Sequence, residues 1–156
     1  MFKSLNKIFN KRTDFNKLKK DIAPVPSKFI NALMDSINLG LIDKTQSFLS
    51  DLSSGELANI IEQLDSNDRK KLIFFLGSSI EPEIILELDK DIRKEIVTVV
   101  GEHTFLNIVS KLDTEDLIVI LEELDENERG QYLKLLPKKS QRELVKRGLK
   151  FPEDTA

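Results

Sequence analysis

Acidic side chains are clustered at two places where the sequence predicts a helix, and their chemistry is that of cation ligands. Glu83 and Glu87 are one helical turn apart. Glu115 and Asp116 open a later helix, and Glu122 shares a face with Glu115 seven residues on. Hard divalent cations prefer carboxylate oxygens. Acidic residues also favour helix starts through the helix dipole, so a cation site and a solvated helix start both stay open.

Few residues in this chain could support catalysis, and we predict that it is not an enzyme. The chain has no cysteine, and His103 is its only histidine, with no nucleophile at a useful spacing. Gly77 and Gly101 are isolated turn glycines and do not form a phosphate-binding loop. The adjacent carboxylates of Glu122 and Glu123 point apart on a helix, which makes them a poor acid–base pair.

The elements that position these residues follow a strict repeat of twelve residues. The apolar anchors of the repeat are Leu52, Leu64, Leu76, Leu88, Val100, Leu112, Leu124 and Leu136. Two more apolar columns stand eight and nine residues after each anchor, beginning with Ile60 and Ile61. A turn or cap residue follows each anchor. Four units resemble capping boxes: Ser53 with Glu56, Asp65 with Asp68, Asp113 with Asp116, and Asp125 with Glu128.

The pattern of each unit therefore predicts a tight turn followed by a helix of about nine residues. Helices joined by short turns run antiparallel, so two twelve-residue units form a helical hairpin of 24 residues. Helices this short are unstable alone in water, and the three apolar columns must hold the hairpins together. The fold class that we predict is all-α: a right-handed superhelix of short antiparallel helical hairpins with a 12-residue half-repeat.

Charge is divided unevenly along the 156 residues. Residues 1–28 carry eight Lys or Arg and two acids, residues 29–134 carry ten and 22, and residues 135–156 carry six and three. The repeat body is therefore strongly acidic. This charge argues against binding to a nucleic-acid backbone and favours cations or a basic partner surface. No apolar run reaches the roughly 20 residues that cross a bilayer.

Residues 1–27 form a basic tail that is distinct from the repeat. Phe2, Leu5, Ile8 and Phe9 have the spacing of a short amphipathic helix among lysines. This pattern predicts weak contact of the tail, through residues 1–20, with an anionic membrane surface. The alternative is a loose tail that packs on the first hairpin or on nothing.

The last six residues, 151–156, read Phe-Pro-Glu-Asp-Thr-Ala and follow the acidic repeat. A helical repeat closed by such a segment resembles the cytoplasmic N-terminal domain of MgtE-type magnesium transporters. The resemblance covers residues 29–156, although the flagellar motor-switch protein FliG carries related helical repeats. It implies that residues 28–150 form the N-domain superhelix. It also implies that residues 151–156 begin the linker to a pair of CBS domains, which this chain lacks.

The resemblance also implies a function, that of a regulatory magnesium-sensing domain on the cytoplasmic side of the inner or plasma membrane. In such transporters Mg²⁺ bridges acidic residues of the N domain and the CBS domains and holds the pore shut. The family's acidic positions fall on Glu83, Glu115 and Asp116, as half-sites for a weak, regulatory Mg²⁺ that is not structural. The family often has one more acidic residue, and this chain has Val119 at that position. The full-length transporter is expected to be a homodimer.

A second function class fits the same repeat. A free-standing α-solenoid can act as an adaptor or scaffold that binds a protein partner on its concave face, and a FliG-like role belongs to this class. This alternative predicts stability that is indifferent to magnesium and a partner that copurifies. A reading frame that continues into CBS repeats would favour the sensor, and a stop codon after Ala156 would favour the adaptor.

Overall fold

The computed structural model describes residues 24–148, and over this range the protein consists of ten α-helices with no β-strand. The helices are α1 (Ser27–Asn38), α2 (Ile42–Ser50), α3 (Ser54–Gln63), α4 (Ser66–Leu76), α5 (Pro82–Glu87), α6 (Lys90–Val100), α7 (Glu102–Val109), α8 (Thr114–Glu122), α9 (Glu126–Leu135) and α10 (Lys138–Lys146). The predicted all-α class is confirmed. The tail before residue 24 and the exit segment after residue 148 lie outside the described residues.

The twelve-residue repeat corresponds to one helix per unit, and its central apolar column forms the core. Every residue eight positions after an anchor is buried, from Ile60 in α3 to Leu144 in α10. The next column is buried at most units, but Val97 is half-buried and Val145 in α10 is 57% exposed. The apolar stripe is therefore covered along the stack and uncovered at the last described helix.

The four predicted cap residues each accept the expected hydrogen bond, and the full capping box is present at Ser53. The Ser53 hydroxyl accepts a hydrogen bond from the amide of Glu56, and the Glu56 carboxylate accepts one from the amide of Ser53, which completes a reciprocal capping box. Asp65, Asp113 and Asp125 each accept a hydrogen bond from the amide three residues later. Each cap satisfies an amide that a helix start would otherwise leave without an intrahelical partner.

The unit from residue 77 to residue 88 departs from the regular pattern. Gly77, with a φ of 51°, ends α4, and a 3₁₀ turn (Gly77–Ser79) delays the next helix. Pro82 then opens α5, because its fixed φ suits the first position of a helix and its missing N–H has no partner there to lose. As a result α5 has six residues, compared with the nine or so that the repeat predicts.

The helices pack in two layers of stacked hairpins. Helices α3, α5, α7 and α9 pack successively on one another, while α4 packs on α6 and α8 packs on α10. The first hairpin, α1 with α2, joins the stack where α1 packs on α4. This alternation is the arrangement of an α-solenoid, in which each unit contacts its nearest neighbours. The right-handed sense of the superhelix stays a prediction.

Candidate functional site: exposed acidic helix starts

The first predicted cluster lies at α5, and the structure separates its members. Glu83 is in the first turn and is exposed to solvent, whereas Glu87, one turn later, is buried. Glu81 lies outside the first turn, because Pro82 starts the helix and leaves Glu81 at the N-cap. The Glu81 carboxylate accepts a hydrogen bond from the Ser54 hydroxyl of α3. Glu83 is therefore the one carboxylate of this cluster that both faces solvent and lies in the helix.

The second predicted cluster lies at the start of α8. The Asp113 side chain caps the helix by accepting a hydrogen bond from the amide of Asp116 at 3.0 Å. Glu115 is 74% exposed, and its Oε1 lies 3.3 Å from Nη1 of Arg147, beyond the end of α10. Because both groups are exposed, this ion pair is weak and can exchange for another cation.

The remaining acids of this helix differ in their surroundings. Glu122 is exposed, while the Glu123 carboxylate is paired with the guanidinium of Arg93 in α6. Val119, at the position where the resemblance suggested an acid, is half-buried. Between residues 24 and 148 no three His, Asp or Glu side chains form a group that could hold a metal ion. Glu83 belongs to α5 and Glu115 to α8, so the predicted site residues stand on separate helices.

A recurrent arginine, which the sequence reading missed, joins the units to one another. Arg69 donates from Nε to the carbonyl of Ile61 at 2.8 Å and from Nη2 to the carbonyl of Leu64 at 2.7 Å. Its Nη1 donates to both carboxylate oxygens of Glu95 in α6. One guanidinium therefore caps the end of α3 and connects α4 to α6.

The carbonyl contacts recur at two later units, and the ion pair recurs at the first of them. Arg93 donates to carbonyls at the end of α5 and pairs with Glu123, and Arg129 donates to the carbonyls of Leu121 and Leu124 at the end of α8. Each arginine stands five residues after an anchor and four residues after an aspartate, as in Asp65 and Arg69. That Asp-x-x-x-Arg spacing is the sequence signal that could have revealed it.

A mixed-charge groove of about 670 Å³ lies between α6, α7, the end of α8 and α9. Lys90 and Lys94 line it from α6, while Glu102 and Glu128 line it from the opposite side, around Tyr132. Burial raises the pKa of the Tyr132 hydroxyl, and the negative charges of Glu102 and Glu128 raise it further. Opposite charges on the two sides give this groove no overall preference for one sign of ligand.

The N-cap of α9 shows how these helix starts hold negative charge. The amide of Glu128 donates to Oδ1 of Asp125 at 2.8 Å, and this hydrogen bond lowers the pKa of the Asp125 carboxyl. A cap of this kind stabilises the charged form of the acid. The first turns of α5 and α8 also contain acidic residues, a position that the helix dipole favours. Glu83 and Glu115 are thus exposed carboxylates at helix starts, while Asp116 is half-buried.

The stacked hairpins and the acidic helix starts define an α-solenoid domain with an acidic surface, and comparison with known proteins identifies its family. Residues 52–154 match the family described as the MgtE intracellular N domain, and the chain belongs to that family. The match begins at Leu52, the first anchor of the repeat. Among curated proteins, none matches this sequence at a significant level.

A solved structure described as the soluble part of a magnesium transporter has a similar fold. The TM-score is 0.65 at 18% sequence identity, over 83% of this chain and 51% of that chain. The chain therefore spans about half the length of the solved protein that it matches. None of the helices between residues 24 and 148 has both the length and the apolar character needed to cross a bilayer.

Proposed function

We propose that this chain is the magnesium-sensing regulatory domain of a magnesium transporter, on the cytoplasmic side of the membrane. In this proposal it docks on the CBS domains of the same transporter through Mg²⁺ ions that bridge acidic residues, and docking closes the pore. Membership of the MgtE N-domain family supports the proposal. The fold shared with the soluble part of a magnesium transporter is consistent with it. The role is regulatory and not catalytic.

The observation that carries the proposal is the placement of Glu83 and Glu115 as exposed carboxylates in the first turns of two helices. Mg²⁺ gives up its waters reluctantly and is commonly held by one or two carboxylates together with water. Single or paired exposed carboxylates therefore fit an ion shared with a second surface. Asp116 follows Glu115 in the first turn of α8 and is half-buried, so Glu115 is the main candidate ligand at that position.

The ion pair between Glu115 and Arg147 gives this site a built-in competitor. Nη1 of Arg147 lies 3.3 Å from Oε1 of Glu115. An exposed pair of this kind contributes roughly 0–1 kcal/mol, so a divalent ion supported by a second carboxylate can replace it. Weak binding suits a regulatory ion that must leave when its concentration falls. Val119 supplies no further carboxylate, which weakens the site again.

The CBS domains would follow the exit segment, residues 151–156, which lies outside the described residues. The transporter itself would be a homodimer, as is expected for its family. At low Mg²⁺, the acidic body of this domain would be repelled by acidic groups of the CBS domains. At high Mg²⁺, bridging ions would remove that repulsion.

The proposal is tested in the longer protein that carries this domain ahead of CBS domains, by limited proteolysis of the interdomain linker at increasing Mg²⁺. The double variant Glu83→Gln/Glu115→Gln should need several-fold more Mg²⁺ for protection, because each half-site loses its charge. Glu126→Gln removes another exposed first-turn carboxylate, in α9, and should leave the midpoint unchanged. An unchanged midpoint in the double variant would contradict the assignment of these two residues.

The adaptor alternative gives the opposite result in a simpler experiment. If the chain binds a protein partner on its concave face and no Mg²⁺, millimolar Mg²⁺ should move no backbone amide signal in its NMR spectrum. The sensor proposal expects small, saturable shifts at the starts of α5 and α8. A spectrum without those shifts, together with a copurifying protein partner, would favour the adaptor.

A further inference from the structure

An apolar groove of about 480 Å³ lies at the other end of the stack, between α2, α3, the end of α4 and the start of α5. Ile42, Leu49, Leu57 and Phe75 contribute apolar surface to it, and Glu81 is the one charged side chain that lines it. The mixed-charge groove, by comparison, is lined by both acids and lysines. Uncharged polar side chains such as Gln46 and Ser50 make up most of the remaining lining, so this groove suits the face of an amphipathic helix better than a charged ligand.

Large hydrophobic side chains are exposed on the groove or next to its lining helices in the sequence. Ile42, which lines the groove, and its neighbour Leu41 are exposed. Leu39 is 72% exposed, and Phe74, next to Phe75 in α4, is 77% exposed. Ile42 therefore adds exposed apolar surface at the groove itself, of the kind that another element can cover.

We propose that the amphipathic part of this chain's own tail covers the groove, with Phe2, Leu5, Ile8 and Phe9 facing it. The tail lies outside the described residues, so its pattern is taken from the sequence. At 100° per residue these four side chains fall within one stripe about 120° wide, while Lys3 and Lys7 fall outside it. A helix of this kind has an apolar face to bury and a basic face to leave in water.

The tail is attached close enough to reach the groove. The amide of Val25 donates to Oδ1 of Asn59 at 3.0 Å, which fixes the chain beside α3, the helix that also carries Leu57 into the groove. Fourteen residues, 10–23, separate the apolar stripe from the first described residue. Extended, they span up to roughly 46 Å. Since an α-helix is only about 10–12 Å across, this length is enough to pass around α3.

Charge also favours the tail over the other candidates for this surface. Exposed Asp43 follows Ile42 directly, and exposed Asp51 precedes Leu52, so two carboxylates flank residues that line the groove. The basic tail and the acidic body carry opposite charge, which favours their association. A second copy of the acidic body would bring like charges together at the same place.

The test uses a nitroxide label on Ser4→Cys in the full chain, which has no cysteine of its own. Paramagnetic broadening of ¹⁵N amide signals then reports where the tail lies. We expect the amides of Ile42, Leu49 and Leu57 to lose most of their intensity, while the amide of Tyr132 in the mixed-charge groove keeps it. Broadening confined to another surface, or none at all, would overturn the proposal.

Two controls decide between occupants. Leu5→Asp with Ile8→Asp, made in the labelled tail, changes no residue of the helical body and should abolish the broadening at the apolar groove. A mixture of ¹⁵N chain without nitroxide and labelled chain without ¹⁵N should show none. Broadening in that mixture would assign the groove to the tail of a second copy. Flotation of the chain with phosphatidylglycerol vesicles, and no broadening without lipid, would assign the tail to the membrane.

Discussion

The guanidinium of Arg69 contacts both carboxylate oxygens of Glu95, at 3.0 and 3.2 Å, across 26 residues of sequence. The same guanidinium donates to two carbonyls at the end of α3. Both side chains of the pair are largely buried. One side chain thus supplies donors to the carbonyls at the end of α3 and joins α4 to α6. Short helices have few internal hydrogen bonds, so they depend on such contacts.

Replacing this arginine should destabilise the domain strongly. Arg69→Met is expected to lower the free energy of unfolding by about 2–3 kcal/mol, because two carbonyls lose donors and Glu95 loses its partner. Glu95→Gln keeps the carbonyl contacts and should cost about 1 kcal/mol. Urea denaturation followed by circular dichroism measures both. Equal losses in the two variants would show that the ion pair, and not the carbonyl contacts, dominates.

The burial of the column eight residues after each anchor can be tested against Val145, the exposed member of the neighbouring column. Ile108 is fully enclosed in α7, whereas Val145 faces solvent. Ile108→Ala should lower the free energy of unfolding by about 2–4 kcal/mol through lost burial and a cavity. Val145→Ala should change it by less than about 0.5 kcal/mol. A large loss at Val145 would mean that another part of the chain covers it.

Tyr132 should make the domain less stable at alkaline pH. Its folded-state pKa is raised, by burial first and by Glu102 and Glu128 next, so the folded state holds the phenolic proton more tightly than the unfolded state. Its stabilising contribution is therefore present below roughly pH 10 and is lost as the pH rises from there through the folded-state pKa.

The chain has one tyrosine and no tryptophan, so phenolate absorbance reports this group alone. Titration of the folded and the urea-unfolded protein should give a higher midpoint for the folded state. Lysines also titrate in this range, and Tyr132→Phe separates the two effects, because its stability should fall less between pH 9 and pH 11. Identical midpoints in the folded and unfolded states would contradict the expectation.

Removing the competitor at the α8 site should strengthen cation binding, if the proposed sensor function is correct. Arg147→Ala frees the Glu115 carboxylate and should tighten the Mg²⁺ response of the Glu115 and Asp116 amides by up to about fivefold, the equivalent of an exposed pair of 1 kcal/mol. Lys146→Ala removes a neighbouring cation that pairs with Glu143 within α10 and should have a smaller effect. Equal responses in the two variants would indicate general charge effects without a site.

The repeat could be predicted because its causes are local. Burial every twelve residues and a cap after each anchor are written into consecutive residues, and the caps at Ser53, Asp65, Asp113 and Asp125 formed as expected. The exception, α5, also has a local cause, since Pro82 favours the first position of a helix. Pro82 is present in the sequence, but the regular apolar columns around it still predicted a helix of about nine residues.

The contacts that join the units could not be predicted in the same way. Arg147 lies 32 residues from Glu115, and the sequence does not tell which of several acids it meets. The sequence also did not predict that Glu83 is exposed and Glu87 is buried. Residues one turn apart on a straight helix are expected to share a face. Which carboxylate reaches water depends on the helices packed around α5, and therefore on tertiary structure.

The exposure of Val145 bears on local unfolding of the domain. In a one-dimensional stack, each helix is held by its neighbours only, so fluctuations start at the ends and travel inward. Glu83 lies in the interior of the described stack, whereas Glu115 is held through Arg147 beyond its last helix. Within residues 24–148, Glu83 therefore stands on a helix packed between α3 and α7, whereas the ion pair of Glu115 depends on how firmly α10 is held against α8.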